Sequence, residues 1–165
     1  MGAASQITPE FQVRLGTTAD LPEIIRVVNA AFAVETFIDG TRTDAKHILS
    51  YHNDGEFLVA TDTNGQIAGS VYVEVNGSRG YFGMLAVEPN RQGSGLGRLM
   101  IESAETYCRD RGSTVLEIAV LSLRPELPPF YEKFGYAEVG TEEFRPSRPI
   151  KPGTVCHVIK MEKQL

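Results

Sequence analysis

Gln92-Gly93-Ser94-Gly95-Leu96-Gly97 lies between the apolar run Tyr81-Phe82-Gly83-Met84-Leu85-Ala86-Val87 and a stretch, Arg98 to Arg111, with helical character. Glycines at alternate positions let the main chain approach an anion closely. The first amides of the helix that follows are unpaired donors, with the positive end of the helix dipole behind them. Strand, glycine turn and helix in this order therefore read as a cradle for a phosphate or pyrophosphate. An ordinary strand-to-helix turn is the competing reading of the six residues alone.

The spelling separates the cofactors that such a cradle serves. A dinucleotide-binding turn reads G-x-G-x-x-G, but Arg98 stands where the last glycine belongs, and no βαβ unit with an acidic residue about 20 positions on is evident. A nucleoside-triphosphate loop, G-x-x-x-x-G-K-[ST], does not occur.

Working outward, Phe11, Val13 and Leu15 alternate with polar residues and predict a strand. Leu21, Ile24, Ile25, Val28 and Phe32 recur at helical spacing behind the cap candidates Thr18 and Asp20, and Asp44 to Tyr51 predicts a shorter helix. Strands are expected from Phe57 to Thr61, from Gln66 to Val75 with Ile67, Val71, Val73 and Val75 on one face, and up to Val87, joined as an antiparallel meander by turns at Asn64-Gly65 and Asn76-Gly77. From Leu96, the set Leu96, Leu99, Met100, Ala104, Tyr107 and Cys108 makes one apolar stripe. Arg98, Glu102, Glu105, Arg109 and Asp110 are expected opposite it, and Gly112 stops the helix. Val115 to Val120 is a strand, Pro125 to Phe134 holds a short helix, and strands at Tyr136 to Thr141 and Val155 to Lys163 follow.

The string Q-x-x-G-x-G after a strand ending in Leu85-Ala86-Val87-Glu88-Pro89, this element order, and Phe130-Tyr131-Glu132-Lys133-Phe134-Gly135-Tyr136 after the fifth strand together resemble the GNAT N-acetyltransferase superfamily. The resemblance runs over residues 11 to 163. It implies an α/β fold with a mixed, mostly antiparallel central sheet of about seven strands flanked by about four helices. It also implies acetyl-CoA as cosubstrate, with acetyl passed directly to a primary amine of a small molecule or peptide. Two rivals stay open: a non-catalytic acyl-CoA-binding or sensing module, and an acetyltransferase acting on a protein partner.

The same resemblance assigns residues. The pantetheine arm would pair with the backbone of Leu85, Ala86 and Val87, with an amide near Leu85 meeting the thioester oxygen. The pyrophosphate would lie against Gln92, Gly93, Ser94, Gly95, Leu96, Gly97 and Arg98. Tyr131 would be the general acid that protonates the departing thiolate, with a buried structural tyrosine as the competing reading. Many members carry Asn seven residues before this tyrosine, where this chain has Arg124, so that cofactor contact does not transfer. The amine must lose a proton before it attacks, and the base candidates are Glu117, Glu35 and His157. The acceptor is expected between the loops Phe32 to Thr43 and Phe144 to Pro152; the second carries Arg145, Arg148 and Lys151. Solvated loop charge is the plainer reading of those three cations.

Composition sets the remaining bounds. The chain has 165 residues, 42% hydrophobic and 22% charged, which suits one domain at 11–165 behind a flexible tail at 1–10. A formal charge of −5 disfavours nucleic acid and anionic membranes as partners, and apolar runs stay far short of a membrane span. The start carries neither a secretory signal nor a myristoylation motif, and Cys108 and Cys156 are expected as buried, reduced thiols, so the cytoplasm is the expected compartment. His47 and His52 are not spaced as a metal pair, and no metal is expected. The resemblance leaves a homodimer among the expected assemblies.

Overall fold

A computed structural model describes residues 10–165, so the expected tail lies outside the described residues except for Glu10. The strands are β1 (Gln12–Leu15), β2 (Glu56–Thr61), β3 (Ile67–Asn76), β4 (Arg79–Val87), β5 (Val115–Leu121), β6 (Ala137–Glu143) and β7 (His157–Gln164). The helices are α1 (Leu21–Ala31), α2 (Ala45–Tyr51), α3 (Leu96–Asp110) and α4 (Leu127–Glu132). The strands form one seven-stranded sheet in the order β1-β2-β3-β4-β5-β7-β6. Every neighbouring pair is antiparallel except β4 with β5. The mixed α/β sheet with four helices is the expected fold class.

Both faces of the sheet are covered. Leu58 and Ala60 of β2 and Val71 and Val73 of β3 meet the stripe Leu96, Leu99, Met100, Ala104 and Cys108 of α3. Phe57, Val59 and Tyr72 meet Ile24, Val27 and Val28 of α1 and Ile48 of α2 on the other face. Strands buried on both sides read as almost continuous apolar runs, which is how β2 and β3 are spelled.

Three expectations are corrected. Ile67 does not share a face with Val71 and Val73: it packs on the α1 side, because the β2–β3 register skips between Gly69 and Ile67. Phe32 does not belong to α1, which ends at Ala31; it opens a separate 3-10 turn. Glu105 is not on the solvent face of α3 but 6% exposed, where its carboxylate accepts the Tyr136 hydroxyl at 2.8 Å and the Lys163 ammonium at 3.0 Å. Periodicity sorts Glu by its charge and cannot see partners arriving from β6–β7. The expectation for the thiols holds for Cys108, which is buried, whereas Cys156 is half-buried; both are free. No helix among the described residues is long and apolar enough to cross a membrane.

The sheet opens in the middle. β4 and β5 pair only over Arg79–Tyr81 and Val115–Glu117. There Gly80 lies so close to α3 that a Cβ on it would stand 2.8 Å from Cys108 Sγ. Beyond Tyr81 the two parallel strands have no register partners in each other and leave a split.

Candidate active site

The split is a cleft of about 870 Å³. Its walls are Phe82, Gly83, Met84, Leu85 and Val87 of β4 and Ile118 to Leu121 of β5. One end is floored by Gln92, Gly93, Gly95, Gly97 and Arg98, and the other is bounded by the loops around Phe32 to Arg42 and Phe144 to Ile150.

β4 is irregular where it faces the cleft. Ser70 pairs with Ala86 but Tyr72 pairs with Gly83, so one residue of β3 stands opposite Met84 and Leu85 together. This bulge places Met84 at φ 49°, an uncommon backbone state for a side chain that buries itself on the α1 side. A bulge interrupts the ladder and frees main-chain groups, which suits a wall that would use its backbone. Leu85 and Val87 line the cleft, while Ala86 is 1% exposed in the core and has only its main chain to offer.

The glycine turn fits an anion. Gly93 and Gly95 both hold φ +85°, and a Cβ built on either would meet nothing within 4 Å, so the space in front of the turn is open. The first intrahelical bond of α3 runs from Leu99 N–H to Gly95 O at 3.1 Å, which leaves the amides of Leu96, Gly97 and Arg98 without helical partners. Leu96 turns its side chain into the core at 1% exposure and anchors the turn. Ser94 is exposed and its hydroxyl donates to Arg91 O at 2.5 Å, pinning the loop. Gln92 is exposed beside Gly93 at the cleft edge. Arg98 stacks 4.9 Å over the Phe134 ring with its head exposed.

Tyr131 comes from α4. The pair Pro128-Pro129 falls in the first turn of this helix, where a missing N–H costs nothing. The tyrosine ring is buried against Phe82, Phe130 and Tyr136, while the residue lines the cleft. No hydrogen bond from its hydroxyl is seen among the described residues, and its ring belongs to the core cluster around Phe82. Burial raises its pKa far above the ordinary tyrosine value, which keeps the proton on the oxygen.

The three candidate bases separate. Glu117 lies where β4 and β5 pair, 2.6 Å from Arg79 and outside the cleft lining. His157 is exposed at the start of β7, also outside it. Glu35 lines the cleft, is 7% exposed, and accepts from Arg124 Nη1 at 2.7 Å. Burial raises its pKa above the ordinary carboxylate value, with the Arg124 hydrogen bond opposing the shift. Arg124 also donates through Nε to Glu126 at 2.9 Å, so the residue that replaces Asn ties the α1–α2 connection to the start of α4.

The two loops picked out for the acceptor meet each other. Ile38 forms a β-bridge with Ile150, and Asp39 N–H donates to Pro149 O at 2.8 Å. Of the three cations in the second loop, Arg148 pairs with Asp44 at 3.0 Å and Arg145 with Glu143 at 3.4 Å. Residue-by-residue reading missed two further lining groups, Tyr81 and Arg42. The Tyr81 ring lies across Gly83, where a Cβ would stand 2.4 Å from its hydroxyl oxygen, and burial pushes its pKa up to about 12. Among the described residues no cluster of His, Cys, Asp and Glu is placed to hold a metal.

A parallel pair splayed beside a glycine turn, with Tyr131 lining the gap, makes one continuous candidate site. Residues 28–147 match the family model described as an acetyltransferase (GNAT) domain, and the chain belongs to that family. Members of this family generally use acetyl-CoA. It is 26% identical over 141 residues to mycothiol acetyltransferase of Propionibacterium freudenreichii, a match that covers 80% of this chain and 45% of that protein. Its fold is similar to nourseothricin acetyltransferase, with TM-score 0.72 at 18% identity over 93% of this chain and 98% of that one. It is equally similar to ribosomal-protein-alanine N-acetyltransferase from Brucella melitensis, with TM-score 0.72 at 21% identity over 93% and 99%.

Proposed function

We propose that residues 11–165 form one acetyltransferase domain that moves acetyl from acetyl-CoA directly to a primary amine, on a small molecule or a peptide. The observation that carries this reading is that the open glycine turn and Tyr131 line one cleft. Acetyl-CoA supplies the acyl group as an activated thioester. Gln92 to Arg98 hold its phosphates through main-chain amides and the start of α3. Leu85, Ala86 and Val87 offer the edge of the bulged strand to its pantetheine arm.

Tyr131 donates the proton that the departing thiolate needs. Glu35 takes the proton that the ammonium form of the acceptor must lose, directly or through water, and its raised pKa makes it a better base than an exposed carboxylate. No covalent enzyme intermediate enters this reading, since Cys108 is buried in the α3 stripe and burial raises its thiol pKa to about 11. Two free thiols suit a reducing compartment, and we place the protein in the cytoplasm.

Thermal unfolding with acetyl-CoA, followed by thiol release over a panel of amines, tests the proposal. A ligand at about 100 times its Kd adds about 2.7 kcal/mol. Stabilisation with thiol release is expected; stabilisation without release from any acceptor would turn the reading to an acyl-CoA sensor, and no stabilisation would overturn it.

A further inference from the structure

The acceptor end of the cleft contains a guanidinium with no anion. Three arginines reach this end: Arg42, Arg124 and Arg148. Arg124 is saturated by Glu35 and Glu126, and Arg148 donates to Asp44 and to Thr41 O. Arg42 has no carboxylate within ion-pair distance among the described residues, and its Nη1 is shut off from solvent without a hydrogen-bond partner. A guanidinium at a cleft wall with no carboxylate partner keeps its charge uncompensated, and an anionic group on a ligand would offset it.

Local structure sets the guanidinium in place. It stands 5.3 Å over the Phe32 ring, at the turn that closes α1, so one of its planar faces is occupied while the residue lines the cleft. Its positive charge is felt at Glu35, at His47 and at Tyr81, so it shares the acceptor end with the proposed base. Phe37, Ile38 and Ile150 complete an apolar lining around it.

We propose that Arg42 reads a carboxylate on the acceptor, so that the amine acetylated here belongs to an amino acid or a similar amino-carboxylate. This rests on the acetyl-transfer reading above. A planar guanidinium edge matches a carboxylate in two parallel hydrogen bonds. A phosphate brings up to two charges and three acceptor oxygens, whereas the other two guanidiniums here are already engaged. The carboxylate also offsets a cation that otherwise stands beside the ammonium of the incoming acceptor.

The experiment pairs amino acids with their carboxamides, measured by thiol release with acetyl-CoA and, separately, by thermal stabilisation without it. Wild type is expected to favour the acid over the amide in kcat/KM by about 10- to 150-fold, through KM, the size of a charge-assisted hydrogen bond. Arg42→Gln should bring the ratio near one, and Arg42→Lys should restore part of it. Stabilisation by acetyl-CoA checks that each variant is folded. Acids and amides used equally by wild type, or a ratio unchanged in Arg42→Gln, would overturn the proposal. If acids stabilise wild type and not Arg42→Gln while no thiol is released, the carboxylate site stands and the acetyl-transfer reading falls. If neither stabilisation nor preference is seen, the carboxylate site falls.

Discussion

The two ends of the cleft are built on different principles. At the donor end the groups that would bind are main-chain amides of one continuous stretch, β4 through the turn into α3, fixed by Leu96 and by the packing of Gly80 against Cys108. At the acceptor end they are side chains from Phe32 to Arg42, from Arg124, and from Phe144 to Ile150, joined by the Ile38–Ile150 bridge and the Arg124–Glu35 pair. A phosphate cradle can be written in a few consecutive residues, because backbone donors follow chain direction. An acceptor pocket is assembled from loops far apart in sequence, and its chemistry can vary without disturbing the cradle.

Tyr131 stands between the ends, and its removal should show the largest effect. Tyr131→Phe is expected to lower kcat by about 10² to 10⁴ with acetyl-CoA binding retained. Steady-state kinetics on a good acceptor would sink the acid role if kcat were unchanged. Gly95→Asp comes next and should act on the donor end alone. The carboxylate would stand in the open space where the phosphates are proposed, and the about 2.7 kcal/mol of stabilisation at 100 times Kd should vanish while the fold persists. Calorimetry that finds wild-type affinity would break the donor assignment.

The scaffold beneath both ends can be tested apart from either. Tyr136→Phe removes the 2.8 Å bond to the buried Glu105 carboxylate and should destabilise by about 2 kcal/mol in urea unfolding, without altering KM for acetyl-CoA. A cost near zero would mean that Lys163 alone satisfies Glu105.

The smallest expected signature is one of pH, at the acceptor end. Glu35 must be unprotonated to act as base, and burial raises its pKa, so kcat/KM should climb with slope one through a value above the ordinary 4.5 and then level. Tyr131 contributes no fall on the alkaline side in the working range, since its own pKa is raised as well. Glu35→Gln should abolish that climb and leave stabilisation by acetyl-CoA intact. A persisting limb would assign the base elsewhere.

Much of this molecule is legible in its sequence, and the exceptions share a cause. Alternation and helical spacing give β1 to β4, α1 and α3, and the six residues give the open glycine turn at the cleft, because these are signals between near neighbours. Glu105 escapes local pattern for the opposite reason: its partners, Tyr136 and Lys163, lie 31 and 58 residues away. Arg42 carries no local signal at all, being one charged residue in a loop. Glu35, Glu117 and His157 read alike as base candidates until the cleft separates the first from the other two.

The sequence by itself determined the elements, the family resemblance and the glycine turn ahead of α3, since each depends on residues within a turn or two of one another. Only the tertiary structure inserted β7 between β5 and β6, splayed β4 from β5, and set Glu35 against Arg124 across 89 residues of chain. Strand order and cleft walls are decided by which surfaces bury each other, and that is a property of the whole chain.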